Sequence, residues 1–260
     1  MQHKDEIINQ LQAMLAKEAD EPATHLHNYF TKDVDEECRK KIVDWYFKVV
    51  GVLNISTECV WRATNLLDRY LCSGKGLSVK AVGDRRLFQL ASMVSLYMAI
   101  KVYEGKTMTI SSLELICRNH YTTSEFVSME HDILFALNWT LAATTTPMDF
   151  VRYALLLQSD LIDPSAMASI LAVAQEQMDL TISDVYFASY KRSSVGLACL
   201  GAAFVESDIS PALQKEFWFR LSSELNLYIP SRQVVSVYDE SSSCELLRLV
   251  MRMRLIAPAA

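Results

Sequence analysis

Arg85-Arg86-Leu87-Phe88-Gln89-Leu90-Ala91-Ser92-Met93-Val94-Ser95-Leu96-Tyr97-Met98-Ala99-Ile100-Lys101-Val102-Tyr103 is the stretch whose reading decides the fold. It contains neither glycine nor proline, and its apolar residues recur at helical spacing. Projected at about 100° per residue with Leu90 at zero, Val94 falls at about 40°, Tyr97 at about 340° and Lys101 at about 20°. The spacing predicts a helix over 85–103 with a lysine in the middle of its apolar stripe. A second helix is predicted over 123–137. With Phe126 at zero, Met129 falls at about 300°, Ile133 at about 340°, Leu137 at about 20° and Glu130 at about 40°. A carboxylate therefore sits on that apolar stripe too. An unpaired buried charge is costly, so both positions need a reason. Either Lys101 snorkels to water on its long stem and pairs with Glu130 inside the fold, or both charges face a partner that neutralises them.

Outward from these two segments, the chain reads as helices divided by short breaks. Helices are predicted over 37–50 and 57–72, and another over 109–119. Gly51 and Asn54 end the first; Gly74, Gly76 and Gly83 lie in a loop after the second; Gly105 follows the helix over 85–103. Thr122-Thr123-Ser124-Glu125 is a capping box, with Thr122 as N-cap and Glu125 as its partner. Ile7, Leu11, Met14 and Leu15 have helical spacing, so a short amphipathic helix is expected over 1–18. Glu18 to His27 is polar, contains Pro22 and reads as a linker. The polar stretch Ala142 to Thr146, followed by Pro147, is the best domain boundary. Beyond it, helices are predicted near 147–158, 165–180, 186–205, 211–224 and 231–252. Pro164, Pro211 and Pro230 fall near helix starts, where a missing N–H is tolerated. The expectation is an all-α chain: an N-terminal helix and linker over 1–36, five-helix modules over 37–141 and 142–254, and a tail over 255–260.

Composition agrees. Of 260 residues, 51% are hydrophobic and 22% charged, and there are only 7 glycines and 6 prolines. That scarcity disfavours Gly-rich Rossmann turns, P-loops and β-sandwiches. The 25 basic and 31 acidic residues leave a net charge of −6, with no basic run, so neither nucleic acid nor anionic membrane is expected as a partner. The longest apolar run, Val195 to Val205, is too short for a membrane span. The six cysteines, Cys38, Cys59, Cys72, Cys117, Cys199 and Cys244, form no C-x-x-C pair. With no signal peptide at the N-terminus, they read as reduced packing residues.

Read together, the spacings have a resemblance. Arg39 lies in Cys38-Arg39-Lys40-Lys41-Ile42-Val43-Asp44-Trp45, and Asp68 in Leu66-Leu67-Asp68-Arg69-Tyr70-Leu71. Leu90 and Lys101 lie on the helix quoted above, and Glu130 in Met129-Glu130-His131. Arg, Asp, Leu, Lys and Glu in this order resemble the marker residues of the cyclin box, the regulatory module of cyclin-dependent kinases. The resemblance is specific over 37–141 and weaker over 145–252, where Pro147-Met148-Asp149-Phe150 looks most like the second box of G1-type cyclins. It implies two tandem cyclin boxes and a non-catalytic, activating role in cell-cycle control, in nucleus and cytoplasm, without cofactor or metal. It also implies an internal ion pair between Arg39 and Asp68. Lys101 and Glu130 would contact the kinase, and Met98, Val102, Leu134, Trp139 and Leu141 would form an apolar pocket for its mobile αC helix. Substrates or inhibitors would dock on a patch of Cys38, Ile42, Trp45, Lys48 and Gln89. This patch departs from the family: Cys38 replaces the usual Met, and Lys48 stands where an acid often receives a basic motif. The loop from Ser73 to Arg86 is longer than usual, and Tyr103 stands where an acid is common.

Other constellations are weaker. His131-Asp132 is the dipeptide of HD phosphohydrolases, which also need a further His and Asp; His120 or His25 and Asp149 could be nominated. Asp33-Val34-Asp35-Glu36-Glu37 resembles an acidic metal motif but lies at a helix start, where acids favour the macrodipole. His25 and His27 lie in the polar linker, and Ser193-Ser194 has no nearby His to make a nucleophile. A cyclin-fold transcription scaffold that holds DNA is the second functional class; it calls for a basic face and commonly a zinc ribbon, and neither is in the sequence.

Overall fold

Arg85–Tyr103 is helical throughout, and Asp84 starts it by accepting the amides of Arg86 and Leu87 at 2.8 and 3.2 Å. Its middle, from Leu90 to Ile100, is buried on every side, which marks a central rather than a surface helix. The two serines on it satisfy themselves: Ser92 and Ser95 donate to the carbonyls four residues back at 2.7 and 2.8 Å.

The computed structural model describes residues 2–20, 30–104, 108–141 and 145–226. Within them run α1 (Gln2–Asp20), α2 (Glu36–Leu53), α3 (Glu58–Cys72), α4 (Ser78–Ala81), α5 (Arg85–Tyr103), α6 (Ile110–Ile116), α7 (Thr123–Ala136), α8 (Pro147–Leu157), α9 (Pro164–Ser183), α10 (Val185–Ala188), α11 (Arg192–Glu206) and α12 (Pro211–Leu225). No strand occurs among the described residues, so the fold is all-α, and none of the described helices is long and apolar enough to cross a membrane. The helix expected over 231–252, with Pro230, the tail, the linker histidines and Cys244, lies outside the described residues.

Contacts divide the chain into two units. The first holds α2 to α7 together with Ile182–Ser189. Here α5 packs against α2, α3, α4 and α7. One core gathers Leu67, Tyr70, Val94 and Phe126; the other gathers Tyr46, Val60, Leu96 and Ile182. Among the described residues the second unit holds Thr145–Thr181 and 190–226, and α1 joins it by packing on α8 and α12. Ile7, Leu11 and Met14 are the buried stripe of α1. Glu18 does not open a linker. It is buried in α1, accepts the Ser193 amide at 2.9 Å and the Ser193 hydroxyl, and so caps α11, whose Lys191 N-cap offers no side-chain bond.

Glycine is scarce because other residues close the helices. Asn54, Asn138, Asp208 and Asn226 take the left-handed conformation just past α2, α7, α11 and α12. At α7 the Trp139 amide reaches Leu134 O at 2.9 Å while the Asn138 amide reaches Phe135 O at 3.2 Å, the double bond of a Schellman motif. Gly51 is therefore not a terminator; it lies inside α2, and the helix runs on to Asn54. The loop after α3 contains α4 and is pinned by Asp132, which accepts the Leu77 amide at 2.9 Å and the Tyr70 hydroxyl at 2.6 Å. Gly76, at φ +57°, lies so close to Asp132 that a Cβ there would meet its carboxylate at 2.3 Å. The helix expected over 186–205 is broken into α10 and α11: Asp184 caps the former at Tyr186, and Ser189 Oγ donates back to Tyr186 O at 2.9 Å to end it. The capping box at Thr122 and Glu125 forms, and Thr146 with Asp149 makes another at α8.

Gly196 sets the crossing of α11 on α8, because a Cβ there would lie 2.4 Å from the carbonyl oxygen of Pro147. Helix propensity alone favours Gly→Ala by roughly 0.5–1 kcal/mol. We expect Gly51→Ala, in open space on α2, to gain about that much in urea unfolding. Gly196→Ala should instead lose about 1–3 kcal/mol through overpacking.

Candidate functional site

Arg39 on α2 and Asp68 on α3 are both buried. The guanidinium grips the carboxylate with two parallel bonds: Arg39 Nε to Oδ1 at 3.2 Å and Nη2 to Oδ2 at 2.9 Å. Its remaining arm, Nη1, donates to the carbonyl of Ile182 at 2.7 Å. Ile182 is in the last turn of α9, where carbonyls lack intrahelical partners. One fork thus joins α2 to α3 and satisfies a helix end. Nearby, Tyr46 donates to Ser92 O at 2.6 Å, and burial pushes its hydroxyl pKa well above the usual value.

Lys101 and Glu130 meet at 3.1 Å. The lysine side chain is 56% exposed and the glutamate 15%, so the two sit at the rim of the apolar surface of α5 and α7. The lysine stem passes the Tyr97 ring, with Nζ 5.5 Å from its centroid. The hydrogen bond to Glu130 holds the ammonium pKa above the ordinary lysine value.

Beside this pair, α3 and α5 enclose a groove. Met98, Ala99, Val102 and Leu141 line it, with Leu66. Met98 is only 1% exposed, so it forms the floor and offers little direct contact. Arg62, Asn65, Arg69 and Tyr103 complete the lining; the sequence reading missed the first three as site residues and left Tyr103 without a role. Arg62, Asn65 and Arg69 stand three and seven residues apart, one face of α3, and that spacing was the available signal. The Arg62 guanidinium carbon lies 4.1 Å from the centre of the Tyr103 ring. Tyr103 donates to Leu141 O at 2.8 Å and Arg69 to Thr140 O at 2.9 Å, so the segment after α7 is strapped to α3 and α5.

The remaining pocket residues part company. Leu134 is half-buried against the core of the first unit. Trp139 is not in the groove: it is 63% exposed and stands edge-on to Phe135, itself 67% exposed, with centroids 6.0 Å apart. On the other face, Cys38, Ile42 and Trp45 are half-buried against the same core, and Lys48 and Gln89 are exposed. Gln89 Oε1 accepts the Tyr121 hydroxyl at 2.9 Å, which fixes its amide.

The geometry speaks against an HD-type metal site. Asp132 is committed to Tyr70 and Leu77, and no group of three or more His, Cys, Asp or Glu among the described residues could hold a metal ion. Nor is a reactive thiol present at buried Cys59 and Cys117 or half-buried Cys72: desolvation pushes Cys59 and Cys72 up to about 12 and Cys117 up to about 11, far from a thiolate at neutral pH. Asp35 caps α2 by accepting the Cys38 amide at 2.9 Å, so the acidic run serves a helix start.

The cyclin N-terminal domain profile matches residues 9–142, just over half of the 260-residue chain. The chain belongs to the cyclin family. It is 28% identical over 178 residues to a G2/mitotic-specific cyclin-B2 of Oryzias luzonensis, covering 68% of this chain and 42% of that one. It is 29% identical over 143 residues to cyclin-A3-3 of Arabidopsis thaliana, covering 54% and 42%, and 26% identical over 174 residues to cyclin-O protein B of Xenopus laevis, covering 65% and 46%. In these matches the chain spans less than half the length of each relative. A viral cyclin from herpesvirus saimiri shares the fold: TM-score 0.68 at 19% identity, over 95% of this chain and 97% of that one. The cyclin fold here is therefore carried by both units.

The buried fork yields a stability prediction for this cyclin. Arg39→Ala strands the Asp68 carboxylate and the Ile182 carbonyl, and should cost about 3–5 kcal/mol in urea unfolding. The double variant Arg39→Met/Asp68→Leu, which removes both charges, should recover a large part of that loss.

Proposed function

We propose that this cyclin is the non-catalytic, activating subunit of a cyclin-dependent protein kinase, acting in cell-cycle control in nucleus and cytoplasm. The observation that carries the reading is the Lys101–Glu130 pair, whose lysine directly precedes the groove residues Val102 and Tyr103 on α5. It supplies one cation and one anion beside an apolar depression, which suits an amphipathic helix with polar anchors at its edge. Active kinases need a Glu of the αC helix to reach the catalytic Lys. A face that binds only the inward position of that helix stabilises the active state by its differential affinity. Converting a 1:99 population into 99:1 takes about 5.5 kcal/mol of such preference. Mixing the purified protein with purified cyclin-dependent kinases, one at a time, and measuring phosphotransfer to a peptide tests the reading; stimulation of none of them overturns it.

The pair itself is an exposed ion pair, worth at most about 1 kcal/mol to the fold. Lys101→Ala and Glu130→Ala should therefore leave the urea midpoint nearly unchanged while weakening kinase binding at least about tenfold in calorimetry.

The second surface in this reading is the docking patch on α2 and α5, which would take the apolar end of a substrate or inhibitor motif on Ile42 and Trp45. Lys48 opposes the basic end of an Arg-x-Leu peptide, and like charges at an interface cost affinity. Such a peptide should bind weakly, and Lys48→Glu should improve it about tenfold, or about 1.4 kcal/mol, by fluorescence anisotropy.

A further inference from the structure

Of the six prolines, two follow a hydroxyl residue: Thr146-Pro147 and Ser210-Pro211. Such a dipeptide is the smallest acceptor that a proline-directed protein kinase reads, and the proline holds the residue before it extended. The fold treats the two in opposite ways. Thr146 is fully buried, and its capping box with Asp149 is closed in both directions, at 2.6 and 3.2 Å. Pro147 is buried too, with its carbonyl against Gly196 of α11. The Thr146 hydroxyl is thus shut inside the second unit.

Ser210 and Pro211 are both exposed, at the turn from α11 into α12. Ser210 stands at φ −56° and ψ 141°, an extended polyproline geometry. The chain before it is held in place: the Ile209 amide reaches Phe204 O at 3.1 Å, and Gln214 Nε2 donates to Ile209 O at 2.7 Å. A kinase must also straighten the residues that follow, here the first turn of α12. That is the easiest part of a helix to open, because its amides have no intrahelical acceptors. Opening it gives up the bond from the Leu213 amide to Ser210 Oγ, at 3.3 Å, and the bond from the Gln214 amide to Ser210 O, at 3.0 Å.

We propose that Ser210 is a phosphorylation site for a proline-directed serine/threonine kinase, and that its phosphate then caps α12. Ser210 Oγ attacks the γ-phosphorus of ATP. The Oγ–P bond forms as the bond to the β-phosphate oxygen breaks, ADP leaves, and the hydroxyl proton passes to the catalytic Asp of the kinase. The product carries a dianion where a neutral hydroxyl had accepted the Leu213 amide. Charge-assisted bonds to the first-turn amides are the stronger ones, so the modification tightens the turn that the kinase had to open.

The test incubates the full chain with Mg-ATP and active proline-directed kinases of the mitogen-activated and cyclin-dependent classes, in separate reactions, and locates the phosphate by mass spectrometry. Phosphate should appear on Ser210 and not on Thr146, and Ser210→Ala should abolish it. Peptides spanning 141–152 and 205–216 should both be phosphorylated, so that the fold and not the sequence makes the choice. The chain phosphorylated at Ser210 should melt about 1–4 °C higher than the unmodified chain. Absence of phosphate from Ser210 in the folded chain with both kinases, or equal labelling of Thr146 and Ser210, overturns the site. A melting temperature that falls on phosphorylation overturns the capping role.

Discussion

A single guanidinium organises the first unit. Arg39 is buried at 4% exposure and Asp68 at 5%, and neither charge would be tolerable there alone. The bidentate fork cancels the charge, and the third bond to Ile182 O removes an orphaned helix-end carbonyl. With α2 and α3 fixed to each other, α5 has two walls to pack against, and its fully buried middle can lie between two cores. The far end of α5 carries the site's Met98, Lys101, Val102 and Tyr103.

The proposed kinase face is built by economical local means. The core sides of α5 and α7 fix the axes, so Lys101 and Glu130 meet without any dedicated scaffold. The segment after α7 would otherwise be a free connection, but Tyr103 and Arg69 bind two successive carbonyls of it, at Leu141 and Thr140. The groove wall is thereby held in place before any partner arrives, which lowers the ordering cost of association.

Much of this was legible in the sequence. Apolar period, capping boxes and the two charges on apolar stripes gave the long helices and the Lys101–Glu130 neighbourhood. Of the two readings of those charges, the structure shows the pairing of Lys101 with Glu130, at a surface rather than inside the fold. What periodicity could not give was the stretch between helices. Four-residue α4 and α10 are too short to show a period, and the break at Ser189 depends on a hydroxyl turning back on Tyr186. Glu18 looked like linker because a charged residue near Pro22 is polar by composition; only the tertiary fold shows it spent on the amide of Ser193. The cyclin-box resemblance counts Trp139 among the pocket residues, whereas in the structure it is exposed, at the second of two left-handed positions. Arg62 and Tyr103 come together from different helices, a pairing that no one-dimensional pattern contains.

The third bond of Arg39 has a consequence for how the protein is made. Its acceptor, Ile182, is 143 residues further along the chain. At a synthesis rate of about 5–20 residues per second, the guanidinium leaves the ribosome roughly 7–30 seconds before its last partner does. Over the last 46 residues of that interval, between Ala136 and Ile182, the first unit has every helix from α2 to α7 but not its full set of buried bonds. Its completion therefore waits for the end of α9, and chaperones have a defined window in which to hold it.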